Sequence, residues 1–404
     1  MILLSCKNKT HKTPIMNKSY SECNKVVNSE LFLSDPPIEA FDRCQSNVAL
    51  RLARASIDFE KYRPQLEKAV LIGRIKRQLK KLGRKTDPLL SLFSDDQLGA
   101  GDASRLRLFK SSVGRPSLDS VLMFRVVFLA TITHTSDAQM SCAILSDAIT
   151  RLFTKVPPGT FISRQAIWDY REFFVESGVC ETITNMHLEE LRAQGLLTDD
   201  GAMILDGSFV EAPKQRNTRE ENKMIKEGRG NELWNDQPAK KRQKDIDARW
   251  TKKNDEVHFG YKIHALVDAV HKIMIYGVTT PANVHDSRAL NWVLNAEEDK
   301  GRTLYADSAY CGEALEELTR SFNVIPCFCE KGYANHPLTD EQKENNRQKS
   351  KTRSRIEHVF GHIQTVFKGS FVRTIGLARA TAYNWLIMLG YNICRQDFLC
   401  RQQE

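Results

Sequence analysis

Long apolar runs are missing from this 404-residue chain. The longest candidate, at residues 121–132, is interrupted by Arg125, whereas a membrane-spanning helix needs roughly 18 or more consecutive apolar residues. The apolar run at residues 2–4 is too short for the core of a signal peptide, and no small-residue cleavage site follows it. We therefore expect a soluble, cytosolic protein that has no membrane partner.

The ten cysteines lack the spacing of a disulfide framework or a zinc site. They are scattered over the whole chain, and in a cytosolic protein such cysteines are reduced thiols. Cys327 and Cys329 form one C-x-C pair, but zinc needs two further ligands nearby, and the spacing provides none. We expect both to be buried strand residues.

Acidic residues are outnumbered by basic ones, with a net charge of +9 and a pI of about 9.0. This excess favours a polyanionic partner, although charge alone does not distinguish nucleic acid from an acidic membrane surface. Residues 65–85, which have no acid after Lys68, predict a basic amphipathic helix, either with a solvated face or in contact with a DNA backbone. Residues 214–253 carry thirteen Lys and Arg against seven acids.

The chain divides into three segments that differ in composition and in the spacing of their apolar residues. Residues 1–90 form a poorly patterned basic extension. In residues 91–197, breakers and apolar periodicity predict helices at about 118–132, 138–153, 164–177 and 181–194, which suit a DNA reader or a plain helical bundle. In residues 201–396, short β-branched runs alternate with helical patterns. This alternation predicts an α/β domain, a mixed sheet flanked by helices.

Two aspartates follow short apolar runs that predict buried strands. Asp206 follows the run 203–205, and Asp307 follows the run 304–306 within a predicted strand at 303–310. We expect both side chains at the carboxyl ends of strands, where open α/β sheets bind ligands. Taken singly, a strand-end aspartate that caps a turn is a common alternative.

A third carboxylate, Glu357, lies beside the apolar stripe of a predicted helix at 353–367. Such a position is costly unless the carboxylate is paired or bound to metal, and Arg353 is the alternative ion-pair partner. Two aspartates and a glutamate suit two Mg²⁺ ions, with Mn²⁺ as substitute, in phosphodiester chemistry. Basic side chains for DNA phosphates come directly before Glu357, at Lys349, Lys351, Arg353 and Arg355.

Several unusual strings occur here in a specific order: GSFVEAPKQRNTREEN, KKRQKDIDARWTKKN, GYKIHALVD, NVHDSRAL, YADSAY and SKTRSRIEHVFG. They resemble segments of the DDE transposases of the insertion-sequence five (IS-five) family. The resemblance covers residues 201–396, and more loosely 91–200, but not 1–90. It implies a ribonuclease-H-like catalytic core preceded by an all-helical N-terminal domain. It also implies that Asp206, Asp307 and Glu357 bind two metal ions.

The resemblance further implies DNA contacts. Arg353 fits the arginine of the related tyrosine–arginine–glutamate–lysine signature. Four further residues fall in family-like strings: Lys262, His264, His285 and Asp286. We interpret them as DNA contacts or as supports of the site, with buried hydrogen-bonding residues as the alternative. The predicted contact set is completed by two residues of the basic segment, Arg249 and Lys252.

The predicted function is that of a transposase, which cuts the inverted ends of its element and joins them to target DNA. Two alternatives stay open: an inactive copy that binds ends as a repressor, and a nuclease without strand transfer. Because two DNA ends must be held together, we expect a homodimer on DNA. We expect no small-molecule cofactor and a location at the bacterial nucleoid in the cytoplasm.

Overall fold

The computed structural model describes residues 47–55, 57–81, 117–197, 201–253, 255–333 and 336–403. The predicted boundary at residue 90 and the first 46 residues of the predicted extension lie outside these ranges. Seven α-helices precede the sheet in the described residues: α1 (Val48–Arg54), α2 (Arg63–Lys81), α3 (Ser120–Ile132), α4 (Asp137–Ser146), α5 (Ala148–Thr154), α6 (Arg164–Ser177) and α7 (Val179–Ala193).

Side-chain caps set the ends of these helices. Ser163 accepts a hydrogen bond from the Ala166 N–H and begins α6 at the predicted residue. The predicted single helix at 138–153 is wrong, because Asp147 has extended backbone angles and its carboxylate accepts the N–H groups of Ile149 and Thr150. The cap therefore starts a new helix, α5, directly after α4.

The helices before residue 81 pack into the same core as those after residue 117. A 3₁₀ turn at Phe59–Tyr62 places the Phe59 ring 5.8 Å from the rings of Phe124 and Phe128. Arg77 of α2 pairs with Asp169 of α6 at 2.6 Å. The predicted basic helix thus uses part of its charge inside the fold. The sequence pattern did not predict α1.

A six-stranded mixed sheet follows, in the order β2-β3-β1-β5-β6, with β4 also paired to β3. Strand β1 is antiparallel to β3 and parallel to β5. The charged strand β2 was not predicted from its sequence. The strands are β1 (Met203–Glu211), β2 (Arg249–Lys253), β3 (Glu256–Asp268), β4 (Met274–Pro281), β5 (Thr303–Ala306) and β6 (Ile325–Phe328).

Shorter helices connect these strands, and three longer ones follow or flank the sheet. The predicted strand at 303–310 is wrong in length, because a 3₁₀ turn, Ser308–Tyr310, begins after Asp307. The helices are α8 (Arg219–Lys226), α9 (Pro238–Lys241), α10 (Leu290–Val293), α11 (Glu313–Ser321), α12 (Asp340–Arg353), α13 (Arg355–Val366) and α14 (Leu377–Gln403).

The basic segment 214–253 is a folded insertion between β1 and β3. The Glu221 carboxylate accepts hydrogen bonds from Trp234 Nε1 at 2.6 Å and from Lys240 Nζ at 2.8 Å. The buried Asp245 carboxylate accepts from the Tyr261 hydroxyl at 2.7 Å and from the Gly376 N–H at 3.1 Å. The insertion is therefore tied to strand β3 and to the start of α14.

Helix α14 joins the sheet to the N-terminal helices. The Asn392 side chain hydrogen-bonds both the N–H and the C=O of Met274 at the start of β4. The Thr184 hydroxyl of α7 donates to the Trp385 carbonyl at 3.2 Å. The apolar residues 380–394 are part of α14.

Within the described residues, no single helix has the length and apolar character needed to cross a membrane, although the bent pair Ser120–Ile132 and Asp137–Ser146 meets that test by length and composition alone.

Candidate active site

The parallel pairing of β1 and β5 brings the two predicted aspartates together. Strand β1 continues through Asp206 to Glu211, so the prediction that Asp206 ends its strand is wrong. Strand β5 ends at Ala306, and Leu205 is paired with Ala306. Asp206 and Asp307 therefore occupy the next register position, and residues paired in parallel strands point to the same face of the sheet.

Asp206 is held by one backbone donor and one cation. Its Oδ1 accepts the Gly207 N–H at 2.8 Å, and its Oδ2 accepts Arg353 Nη1 at 3.1 Å. Burial raises the pKa of Asp206, the Asp307 charge raises it further, and the Gly207 N–H and Arg353 oppose that rise. The surroundings of Asp206 therefore disfavour its charged form despite these two donors, chiefly because the side chain is buried.

Asp307 caps the 3₁₀ turn that follows β5, and its Oδ1 accepts the Ala309 N–H at 2.9 Å. The same turn carries Tyr310, whose hydroxyl is buried and has no hydrogen-bond partner in the described part of the chain. Burial raises the pKa of Tyr310, and the charges of Asp286, Asp206 and Asp307 raise it further. Tyr310 therefore lies within electrostatic reach of three carboxylates.

Glu357 does not join the two aspartates. The predicted helix at 353–367 corresponds to α13, which begins two residues later, at Arg355, because Arg353 is the last residue of α12. Helix α13 packs against β1 and buries Ile356, whereas Glu357 is exposed. In the part of the chain that the structure describes, no three His, Cys, Asp or Glu side chains lie close enough to hold one metal ion.

The proposed ion pair between Arg353 and Glu357 is replaced by the pair between Arg353 and Asp206. The two helices meet at Ser354, so Arg353 and Glu357 do not share one continuous helical face.

Three polar side chains form a buried cluster behind Gly207. Lys262 Nζ donates to Asp286 Oδ1 at 2.9 Å and to the Val284 carbonyl at 3.0 Å. His264 is fully buried, with Nδ1 3.7 Å from the same Asp286 oxygen. A Cβ on residue 207 would lie 3.1 Å from that oxygen, which explains the glycine next to Asp206.

This arrangement favours a supporting role for Lys262 and His264 over a direct DNA contact. His285, in contrast, is exposed and accepts the Ser287 N–H. Asp286, interpreted from its sequence as a DNA contact or a support of the site, lies in this cluster. Sequence reasoning missed Tyr310; the signal available was its place in the string YADSAY.

The other predicted DNA contacts fall into two groups. In the first, the cationic group is held by backbone carbonyls: Lys349 by Phe328 at 2.8 Å, Arg355 by Ala269 at 2.6 Å, and Arg249 by Ile246 at 2.6 Å and Ile225 at 3.0 Å. In the second, the side chain is exposed, and this group consists of Lys351 and Lys252. Their contacts with DNA stay predictions.

The comparison with known families decides what kind of domain holds this site. Residues 197–393 match the transposase DDE domain family. This part of the chain is therefore similar to transposase DDE domains. The chain is also 27% identical over 241 residues to the "Transposase for insertion sequence element IS1106" of Neisseria meningitidis serogroup B, a match that covers 58% of this chain and 79% of that protein. No solved structure matches at a comparable level of significance.

The prediction of a DDE transposase is confirmed at this level, and the mixed α/β architecture agrees with it. The narrower assignment to the IS-five family stays a prediction.

We expect the buried cluster to make the free energy of unfolding depend on pH. Burial lowers the pKa of His264 to about 4, with Asp286 opposing this effect and Lys262 reinforcing it. An unfolded histidine has a pKa of about 6.5, so the unfolded chain binds a proton that the fold excludes. The free energy of unfolding should therefore fall by roughly 3 kcal/mol as the pH drops from about 6.5 to about 4.

Urea denaturation at a series of pH values measures this effect, and His264→Gln should flatten the dependence. The exposed His336 offers a matched control, since His336→Gln should keep the wild-type slope. Equal slopes for His264→Gln and the wild type would contradict the assignment.

Proposed function

We propose that this protein is a transposase of the IS-five family, which binds the inverted ends of an insertion sequence, cuts them and joins them to target DNA. The observation that carries the proposal is the position of Asp206 and Asp307, each directly after the paired residues Leu205 and Ala306 of β1 and β5, in a segment that matches the transposase DDE domain family. In this proposal residues 201–396 are the catalytic domain, residues 91–197 read or assemble the DNA ends, and residues 1–90 are a basic extension.

The donor set of the two aspartates fits divalent cations. Carboxylate oxygens are the ligands that Mg²⁺ prefers, and the raised pKa of Asp206 reflects burial and the neighbouring Asp307 charge, both of which a cation offsets. When bound, two Mg²⁺ or Mn²⁺ ions supply activation of the attacking oxygen and stabilisation of the leaving oxygen. Asp206 and Asp307 would hold the metals.

Arg353 and Glu357 complete the proposed site when DNA is bound. Arg353 holds Asp206 at 3.1 Å in this structure, and a bound cation would free its guanidinium for a DNA phosphate, which it suits as a planar donor. Glu357 lies on α13, which packs against β1. We propose that the glutamate becomes the third metal ligand through a change in its side chain or in the junction at Ser354.

A cleavage and joining assay tests this function. The substrate is labelled DNA that carries the element's own inverted ends, with Mg²⁺, with Mn²⁺ or with a chelator. We expect cuts at the ends and joined products that both require the metal. Intact substrate under all three conditions would overturn the proposal, and cuts without joined products would indicate a nuclease.

Glu357→Gln tests the third ligand separately. Loss of this carboxylate should reduce cleavage by at least about 100-fold, more than changes behind a metal ligand usually cause, while binding of the ends is retained. Glu344→Gln removes an exposed glutamate of α12 and should cut normally. Full activity of Glu357→Gln would exclude it as a ligand.

A repressor that binds ends without cutting them is the second candidate. The exposed position of Glu357, apart from the aspartates, favours it. In a gel-shift experiment on the same DNA, specific retention without metal-dependent cleavage would identify this function. Both candidates have DNA as their partner, and the transposase also requires a homodimer that holds two ends.

A further inference from the structure

We propose that a groove beside the DDE site is a second DNA-binding site, which takes one unstacked base on Trp168 and adjoining phosphates on Arg242 and Arg373. The inference rests on the proposed function only in taking DNA as the ligand. It does not depend on metal binding or on cleavage.

The groove lies where three parts of the chain meet, and it has a volume of about 510 Å³. The N-terminal helices contribute Ala130 and Trp168, the basic insertion contributes Arg242, and the segment before α14 contributes Val372 and Arg373. An apolar floor with cations at its margin matches the two components of a nucleotide, a flat base and a charged phosphate.

Trp168 presents an unused aromatic face to this groove. It lies on α6, where its neighbours Ile167 and Tyr170 are buried, yet 43% of its surface is exposed. Within the described ranges it has no aromatic or cationic partner over its ring. Indole rings stack on any nucleobase, because every base has a π face.

The groove has two arginines whose charge is not neutralised. Arg171 pairs with Asp137 and Arg379 pairs with Glu172, each at 2.5 Å. Arg242 and Arg373 are exposed, and among the residues that the structure describes neither has an ion pair or a side-chain hydrogen bond. The free charge of the groove is therefore positive, which favours a polyanion over a protein partner of mixed charge.

The groove is linked to the candidate active site through β1. The Val372 N–H donates to the Glu211 carbonyl at 2.8 Å, and the Glu211 N–H donates to the Ser370 carbonyl at 2.8 Å, so residues 370–372 extend the sheet at the end of β1. Five residues separate Asp206 from Glu211, which corresponds to ~17 Å of strand. The groove is therefore joined to the far end of the strand that carries Asp206.

Fluorescence of 2-aminopurine, placed at successive positions of the end DNA, tests the stacking. Binding is measured in the presence of a chelator, so that cleavage plays no part. We expect a change in fluorescence at one position of the end DNA, which is lost in Trp168→Ala and restored in Trp168→Phe. Affinity should fall about 5- to 150-fold in Trp168→Ala. Trp292→Ala, with 47% of the side chain exposed in the wild type, is the matched control and should bind normally.

The salt dependence of binding tests the phosphate contacts. The double variant Arg242→Ala/Arg373→Ala should make the slope of log affinity against log salt less steep by about 1.8. The reason is that each phosphate contact that the protein makes adds about 0.9 to the steepness of this slope. Lys300→Ala/Arg320→Ala removes the same charge from exposed positions near β5 and β6 and should leave the slope unchanged. Thermal unfolding of each variant shows whether it is folded.

Unchanged affinity and fluorescence in folded Trp168→Ala, or an unchanged salt slope in the folded arginine variant, would overturn the proposal. The two proposals fail separately. If the wild-type protein never cuts DNA but shows the Trp168-dependent signal, the groove proposal stands and the transposase proposal falls. If it cuts DNA normally without that signal, the transposase proposal stands and the groove proposal falls.

Discussion

Asp307→Asn is expected to reduce DNA cleavage and joining by at least about 10³-fold while binding of the element ends is retained. Asparagine keeps the shape of the side chain and can still accept the Ala309 N–H that Asp307 accepts, so the 3₁₀ turn should persist. The charge that would hold a divalent cation is lost. Changes to residues behind a metal ligand cost about 10- to 100-fold, and loss of a ligand should cost more. Single-turnover cleavage of labelled ends measures the effect.

Asp255→Asn is the control for this experiment, because Asp255 is a highly exposed aspartate between β2 and β3. It should cut at the wild-type rate. Cleavage by Asp307→Asn within tenfold of the wild type would exclude Asp307 as a metal ligand, and with it the proposed chemistry.

Gly260→Ala is expected to lower the free energy of unfolding by at least about 3 kcal/mol. Gly260 has φ +147°, and a Cβ would lie 2.5 Å from the Val210 carbonyl oxygen and 2.6 Å from the Ala212 nitrogen. These atoms belong to backbone that is fixed by the pairing of β1 with β3, so they cannot move aside as a flexible side chain would. Urea denaturation followed by circular dichroism measures the change.

Gly312→Ala separates backbone strain from collision. Gly312 has a similar φ of +141°, but a Cβ there would meet nothing within 4 Å. Its substitution should therefore cost only the strain, about 1–3 kcal/mol. Equal losses in the two variants would show that the close approach of β1 and β3 at Gly260 contributes nothing.

The ion pair between Arg353 and Asp206 connects the proposed metal-binding aspartates with the arginine that is proposed to bind DNA. In this structure the arginine partly offsets the charge of the aspartates. The proposed exchange, in which metal replaces arginine at Asp206 and arginine moves to a phosphate, links metal binding to DNA binding.

Local patterns in the sequence determined most of the elements of this protein. Helix α6 begins at its predicted serine cap, strands β3 and β4 follow their β-branched runs, and the two aspartates follow the apolar runs that predicted β1 and β5. Caps and periodicity act between residues a few positions apart, so they can be read without the fold. The same limit explains the error at Asp147, which interrupts a helix whose apolar spacing continues across it.

Only the tertiary structure decided which side chains meet. Asp206 and its partner Arg353 are 147 residues apart. Whether Arg353 pairs with Asp206 or with Glu357 depends on how α12 approaches the sheet. The burial of Lys262 and His264 follows from the pairing of β3 with β1 and β4. The groove at Trp168 exists because three distant segments converge. Such contacts depend on packing between elements, which residue type and spacing along the chain do not specify.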